Sequence, residues 1–150
     1  MILELELVPS SCFYKNVRDI LSVKDWKLIC KEVYQKCNYK CEICGGTGNK
    51  HPVEAHETWD YDLDSLTQKL IYIKGLCPMC HSTKHFGLAE LQGRRNLVLN
   101  HLMKINKLSN KEAELYIKEQ FLLWQFRSSK QWKLDISFLK NYDKILSKKY

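Results

Sequence analysis

Two Cys-x2-Cys pairs and one histidine-containing stretch are the chemically distinctive features of this 150-residue sequence. The pairs are Cys41 with Cys44 and Cys77 with Cys80, and between them runs VEAHETWDYD, residues 53–62. A Cys-x2-Cys turn brings two thiolates within reach of one ion. Two such turns therefore predict a tetrahedral four-cysteine site, the ligand set of structural Zn²⁺.

The surroundings of the two pairs support this zinc site. Gly45 and Gly46 follow the first pair, and Pro78 lies inside the second. The 32 residues between the pairs exceed the common spacing of about 15–20, so we expect an inserted β-hairpin. A redox role for Cys-x2-Cys would not explain two copies. Four thiolates leave no position for water, so the ion is expected to be structural.

Three histidines are candidates for a second metal site. His81 directly follows the last cysteine and His85 comes four residues later. Residues i and i+4 share a helix face, so a helix here brings both imidazoles to one point. His56 lies on an expected strand and is the third candidate. His51 and His101 have no partner at metal spacing and are expected to be surface or hydrogen-bonded histidines.

The elements that position these residues indicate one α+β, mostly helical domain over residues 1–150. It divides by pattern into an N-terminal strand and helix in 1–40, the cysteine and histidine region in 41–93, and a basic helical extension in 94–150. Ser22 is the expected N-cap of the first long helix, and Ser109 with Glu112 fits a capping box for a later one. We expect the extension to pack on the region 41–93.

The central region is expected to hold two strands and a helix. The strands are predicted over 53–59 and 69–76, around a loop at 60–67. A single helix is predicted over 81–91, closed by Gly93. This order places the first histidine on a strand and the other two on the following helix.

Composition and charge limit the possible partners and locations. The net charge is +7, and residues 94–150 alone carry +8, which favours an anionic partner. We see no N-terminal secretion signal and no apolar stretch long enough to cross a membrane. We therefore expect a reducing, cytoplasmic setting, where paired cysteines more often bind metal than form disulfides.

Three segments together resemble the zinc-containing HNH endonucleases: CEICGG, VEAHETW and LCPMCHSTKHFG. The resemblance covers about residues 37–93 and implies a small ββα-metal finger with a four-cysteine zinc knuckle, flanked by helices. The wider sequence is similar to a bacterial subgroup of HNH proteins, which implies a bacterial or phage-infected cell.

The resemblance implies metal-dependent hydrolysis of phosphodiester bonds in DNA. A catalytic divalent ion (Mg²⁺, Mn²⁺, Ni²⁺ or Zn²⁺) would be bound at His56, His81 and His85. A general base would activate the attacking water.

The sequence departs from the family pattern at two places. In many members two consecutive hairpin residues are a metal ligand and the base. If His56 is the base, Ala55 stands at the ligand position; if His56 is the ligand, Glu57 stands at the base position. The Val53-Glu54 sequence that precedes these residues favours the second alternative, in which His56 is the ligand and Glu57 the base. The middle Asn that orients the base has no counterpart near Tyr72, and Gln68 is the only substitute we identify.

Four basic residues after the expected metal helix are candidates for phosphate contacts: Arg94, Arg95, Lys104 and Lys107. They equally fit a solvated helix face. The expected partner is nucleic acid, above all double-stranded DNA, and the sequence is also compatible with a protein partner or a homo-oligomer. The alternative function is a catalytically degenerate, zinc-stabilised module that binds nucleic acid or protein.

Overall fold

The computed structural model describes residues 1–13 and 15–150, which form an α+β fold, and this confirms the predicted class. The α-helices are α1 (Val17–Ile20), α2 (Val23–Lys36), α3 (Pro78–Lys84), α4 (Phe86–Leu91), α5 (Arg95–Asn106) and α6 (Asn110–Ser128). Two short 3-10 helices cover Ser10–Cys12 and Ser137–Tyr142. The strands are β1 (Glu54–Asp62), β2 (Thr67–Leu76) and β3 (Lys133–Asp135). The strand predicted within residues 1–40 is not found in the described part of the chain, where the N–H groups of Leu3 and Leu5 donate to side chains instead.

The sheet has the order β1-β2-β3. Strands β1 and β2 form the expected antiparallel hairpin, with an irregularity in register between Thr58 and Trp59. Both strands extend further toward the loop than predicted. Strand β3 pairs in parallel with the start of β2 and was not predicted, because three residues are too few for a periodic pattern.

Two predicted helix starts are confirmed. The Ser22 side chain accepts a hydrogen bond from the Asp25 N–H at the start of α2. Ser109 and Glu112 form a reciprocal capping box at the start of α6. In both cases the side chain satisfies backbone N–H groups that have no partner inside the helix.

The single helix predicted over 81–91 is two helices. Helix α3 begins directly after Cys77, whose sulfur accepts the Cys80 N–H, and it ends at Lys84. His85 has φ −87° and ψ 48°, outside the helical region, and α4 begins after it. His85 therefore lies at the junction of two short helices rather than within one.

The hairpin lies between two apolar clusters. The first is formed by the N-terminal segment, the cysteine region and α4 to α6, with the buried residues Leu3, Leu5, Leu76, Phe86, Leu102 and Ile117 among its members. The second is formed by α1, α2 and the C-terminal part, with Val17, Ile29, Val33, Leu70, Ile73 and Leu139. Successive residues of β1 therefore project into different surroundings.

Within the part of the chain that the structure describes, no helix has both the length and the apolar character needed to cross a membrane.

Candidate metal centres

The four cysteines of the two Cys-x2-Cys pairs form one cluster. Their sulfur atoms all lie within 4.8 Å of one another. The Sγ atoms of Cys44 and Cys77 are 3.7 Å apart, and two thiolates on one tetrahedral zinc ion would be about 3.8 Å apart. All four cysteines are free thiols. The geometry therefore fits the predicted structural zinc.

Local backbone structure creates this cluster. The Gly45 N–H donates to the Cys41 carbonyl at 2.8 Å and the Cys41 N–H donates to the Gly46 carbonyl at 2.9 Å. Gly45 has a φ of 72°, a conformation that L side chains rarely adopt. The Gly46 N–H also points at the Cys44 sulfur, 3.4 Å away. The first turn thus presents both of its thiols to the start of α3.

The thiols of the cluster affect one another's ionisation. A hydrogen bond from Cys80 lowers the pKa of Cys41 to about 4. Burial raises the pKa of the Cys77 thiol to about 11, and the negative charge of Cys41 adds to this effect. The negative charge of one thiolate thus raises the pKa of a neighbouring thiol, and a bound cation would offset this effect.

His101 is an unexpected neighbour of the cluster. Its Nε2 lies 3.2 Å from the Cys80 sulfur, across 21 residues of sequence. The residue lies on α5, which packs against α3. An N–H directed at a zinc-bound thiolate stabilises its charge. Sequence spacing offered no signal for this contact, because it depends on how the two helices pack.

The structure brings His56, His81 and His85 together. One ring nitrogen of each lies within 4.8 Å of the others. The three ring centroids are 4.9 to 5.1 Å apart. His56 comes from β1, His81 from α3 and His85 from the junction after it. We call these residues the histidine cluster, and its donor set fits a divalent metal of the imidazole-binding kind.

Two carboxylates contact this cluster. The Glu6 Oε2 lies 2.7 Å from the His56 Nε2. The Glu54 carboxylate contacts the His81 Nδ1 through one oxygen and lies 2.6 Å from the His51 Nε2 through the other. Neither glutamate was predicted to belong to the site, because Glu6 and Glu54 are 50 and 27 residues from the histidines that they contact.

Burial favours the neutral imidazole at His56 and His85. Burial lowers the pKa of His56, partly opposed by its hydrogen bond to Glu6. Burial, with the charges of the other two histidines, lowers the pKa of His85 to about 3. Burial would raise the pKa of Glu6, but its contacts with His56 and Lys84 lower it to about 2. Neutral imidazoles are the form that binds a metal ion.

Glu57, one of the two predicted catalytic residues, is not brought to the histidine cluster. Its Oε1 accepts the Arg18 N–H at 3.2 Å, and its Oε2 accepts the Trp59 Nε1–H at 3.2 Å. Neighbouring strand residues point to opposite faces, so the side chain of Glu57 points away from His56. Ala55 packs on the same apolar side as Glu57. The expected role of Glu57 as base is therefore corrected: it caps the start of α1.

No side chain of β2 takes the place of the missing Asn. The Tyr72 hydroxyl donates to Glu42 at 3.3 Å. Gln68 is 1% exposed, but it pairs with Tyr61 in the hairpin register, at the far end from His56. The residue opposite His56 is Lys74. The polar partner of His56 comes instead from the N-terminal segment.

The four predicted phosphate-contacting residues do not form one patch. Arg95 is paired with Glu90 and Glu114 at 2.8 and 2.7 Å, so its charge is already partnered. Arg94, Lys104 and Lys107 are exposed. Arg94 precedes α5 and Lys107 follows it, which separates them by about 20 Å along the helix axis.

No protein-family model, no curated protein and no solved structure matches this chain. The geometry of the two clusters is therefore what indicates a function.

Proposed function

We propose that this protein is a metal-dependent endonuclease of the HNH type that hydrolyses phosphodiester bonds in DNA. The observation that carries the proposal is the histidine cluster: one imidazole from a hairpin strand meets two from the α3 region. The four-cysteine cluster lies at the start of the same helix. A zinc-anchored hairpin and helix that converge on a second metal site define a ββα-metal finger.

The three histidines form a donor set with an open side. When bound, a divalent ion here supplies Lewis-acid chemistry, polarising a phosphate oxygen and stabilising charge on the leaving 3′ oxygen. His56 is 2% exposed and forms the floor of the site. The His81 side chain is 23% exposed, and His85 is also partly exposed. A phosphodiester therefore approaches from the side of His81 and His85.

We assign His56 as a metal ligand together with His81 and His85. Its ring centroid is 5.1 and 5.0 Å from theirs, so the three rings are nearly equidistant. Three protein donors leave a coordination position free, as in hydrolytic metal sites, whereas four thiolates leave none. This difference assigns the reactive role to the histidine cluster.

Plasmid cleavage tests the proposal. Zinc-loaded protein would be incubated with supercoiled DNA and Mg²⁺, Mn²⁺, Ni²⁺ or additional Zn²⁺. We expect cleavage with at least one ion, and its loss in His56→Ala and His85→Ala. Asp60→Ala is the matched control, because Asp60 is an exposed residue of the same strand as His56, and this variant should cleave normally. Absence of cleavage of DNA with all four ions would refute the proposal.

The position of Glu57 favours a second candidate, a zinc-stabilised module that binds nucleic acid without cutting it. Neither strand neighbour of His56 offers a base to the histidine cluster. Ala55 has no titratable group, and the Glu57 carboxylate accepts a hydrogen bond from the Arg18 N–H. This candidate predicts salt-sensitive binding with no cleavage under any metal condition. Cleavage in the plasmid assay would exclude it, and absence of binding at low salt would point to a protein partner instead.

A further inference from the structure

We infer that Glu6 is a positioning residue that orients His56 for metal binding, so that the N-terminal segment completes the site. The inference rests on the proposed metal function of the histidine cluster and extends it beyond the finger. Glu6 lies outside residues 37–93, and its carboxylate contacts His56 at 2.7 Å. Metal-binding histidines in proteins characteristically give their other ring N–H to a carboxylate, carbonyl or water.

The carboxylate of Glu6 is held from two sides. The Glu6 Oε1 accepts a hydrogen bond from the Lys84 Nζ at 2.6 Å, and the Glu6 backbone N–H donates to the Lys84 carbonyl at 2.9 Å. Lys84 is 3% exposed and also donates to the Glu4 carbonyl. A buried lysine requires an anionic partner, so the ion pair keeps Glu6 in place. Lys84 precedes His85, which ties this contact directly to the cluster.

The segment around Glu6 is itself anchored. The Asn106 side chain accepts the Leu3 N–H and donates to the Leu3 carbonyl, at 2.9 and 2.8 Å. The Tyr116 hydroxyl accepts the Leu5 N–H at 3.0 Å. Leu3 and Leu5 are buried in the first apolar cluster. Glu6 therefore reaches His56 from a backbone that α5 and α6 hold in position.

This contact determines which nitrogen of His56 carries the lone pair. An ionised carboxylate accepts the proton of the nitrogen that faces it, so Nε2 is protonated and Nδ1 is free. The same logic applies to His81, whose Nδ1 faces Glu54 and whose Nε2 is therefore free. Two of the three imidazoles thus have a carboxylate that selects one tautomer and one ring orientation.

Metal affinity tests the inference. The second metal would be titrated by calorimetry into zinc-loaded wild type, Glu6→Ala, Glu6→Gln and Glu4→Ala, with Mn²⁺, Ni²⁺ and Zn²⁺ as probes. We expect Glu6→Ala to weaken binding by about 10–100-fold. Glu6→Gln keeps a hydrogen-bond acceptor and should lose less. Glu4 is an exposed glutamate of the same segment, so Glu4→Ala should bind as wild type does.

A second variant separates orientation from stability. Glu6→Ala leaves Lys84 buried without its partner and can destabilise the fold. Glu6→Ala with Lys84→Met removes the unpaired charge, and we expect this double variant to fold while its metal affinity stays low. The His56 tautomer, read from ring nitrogen chemical shifts of protein without the second metal, should change from Nε2–H to a mixture when Glu6 is lost.

The outcomes distinguish this inference from the proposed function. Equal metal affinity and an unchanged His56 tautomer in Glu6→Ala would overturn the role of Glu6 alone. Failure of wild type to bind a second metal would overturn both. A second metal that binds in a Glu6-dependent way without DNA cleavage would support the positioning role and overturn the nuclease.

Discussion

The four-cysteine cluster and the histidine cluster share α3 but are built differently. The cysteines come from one short turn and from the start of α3, and local backbone hydrogen bonds present the sulfurs in both places. Of these, Cys41, Cys77 and Cys80 are 0 to 4% exposed. The histidines come from a strand, a helix and a helix junction, and two of the three are partly exposed. Carboxylates, rather than local turns, contact two of their rings.

This contrast implies that the histidine cluster depends on the cysteine cluster. Cys80 and His81 are adjacent at the start of α3, so the cysteine cluster sets where that helix begins. The contacts that form the cysteine cluster, in contrast, are made by backbone groups and sulfur atoms rather than by the imidazole rings of the histidine cluster. Loss of the zinc site should therefore disrupt the histidine cluster, whereas loss of a histidine should leave the zinc site intact.

Removal of a zinc ligand is expected to have the largest effect. Cys41→Ala should abolish cooperative folding and both metal sites, since structural zinc contributes about 10–16 kcal/mol in small zinc domains. Circular dichroism melts and metal content measure this. Cys30→Ala is the control, because Cys30 belongs to neither cluster, and it should cost about 1 kcal/mol. A Cys41→Ala protein that folds and cleaves DNA would break the proposed dependence.

His101→Ala should weaken zinc binding at the cysteine cluster by about 10–100-fold, because it removes the ring nitrogen that lies 3.2 Å from the Cys80 sulfur. Competition with a chromophoric chelator measures the affinity. The affinity of the histidine cluster for its own metal should be unchanged. Asn100→Ala, at the exposed preceding position, is the control. Equal zinc affinity in both variants would show that the His101 contact does not stabilise the site.

Besides protonation of the zinc-binding thiolates, one part of the acid sensitivity should come from a residue remote from both clusters. Asp25 accepts hydrogen bonds from the Ser147 N–H and Oγ–H and from the Tyr150 hydroxyl, which lower its pKa to about 2. Because the folded-state pKa is lowered, this contribution is complete above the ordinary Asp value of about 3.9 and is lost as the pH falls toward 2. Thermal melts between pH 5 and 2 measure this loss.

The matched variant for the acid prediction is Asp25→Asn. It should melt at a lower temperature than wild type at pH 5, and the difference should shrink toward pH 2. A constant difference across this range would mean that the Asp25 carboxylate is not the titrating group.

Glu57→Gln is expected to have the smallest effect. Gln keeps an oxygen that can accept the Arg18 N–H, so the free energy of unfolding should fall by less than the cost of losing a cap to Ala, about 0.5–2 kcal/mol. Cleavage should persist, because Glu57 faces away from the histidine cluster. Urea unfolding and the plasmid assay measure the two quantities. Loss of cleavage at unchanged stability would return Glu57 to the role of base that the sequence suggested.

Local sequence patterns predicted much of the fold. The caps at Ser22 and Ser109 and the hairpin follow from residues close in the chain, and the four-cysteine cluster follows from two Cys-x2-Cys pairs. Strand β3 and the division of the helix at His85 were missed. Both depend on packing between distant elements, which overrides local propensity.

The candidate site was predicted in its histidines but not in its carboxylates. His56, His81 and His85 have a spacing that secondary structure converts directly into proximity. Glu6 reaches His56 only because the N-terminal segment is anchored to α5 and α6. The role of Glu57 was misread because the sequence leaves open which face of a strand meets the helix.

Metal stoichiometry measured together with DNA cleavage tests the central claim, two metal sites with separate roles. The claim predicts two bound ions in active wild type, and one zinc with no cleavage in folded His85→Ala. Cleavage by His85→Ala at the wild-type rate, or two retained ions in that variant, would contradict the claim.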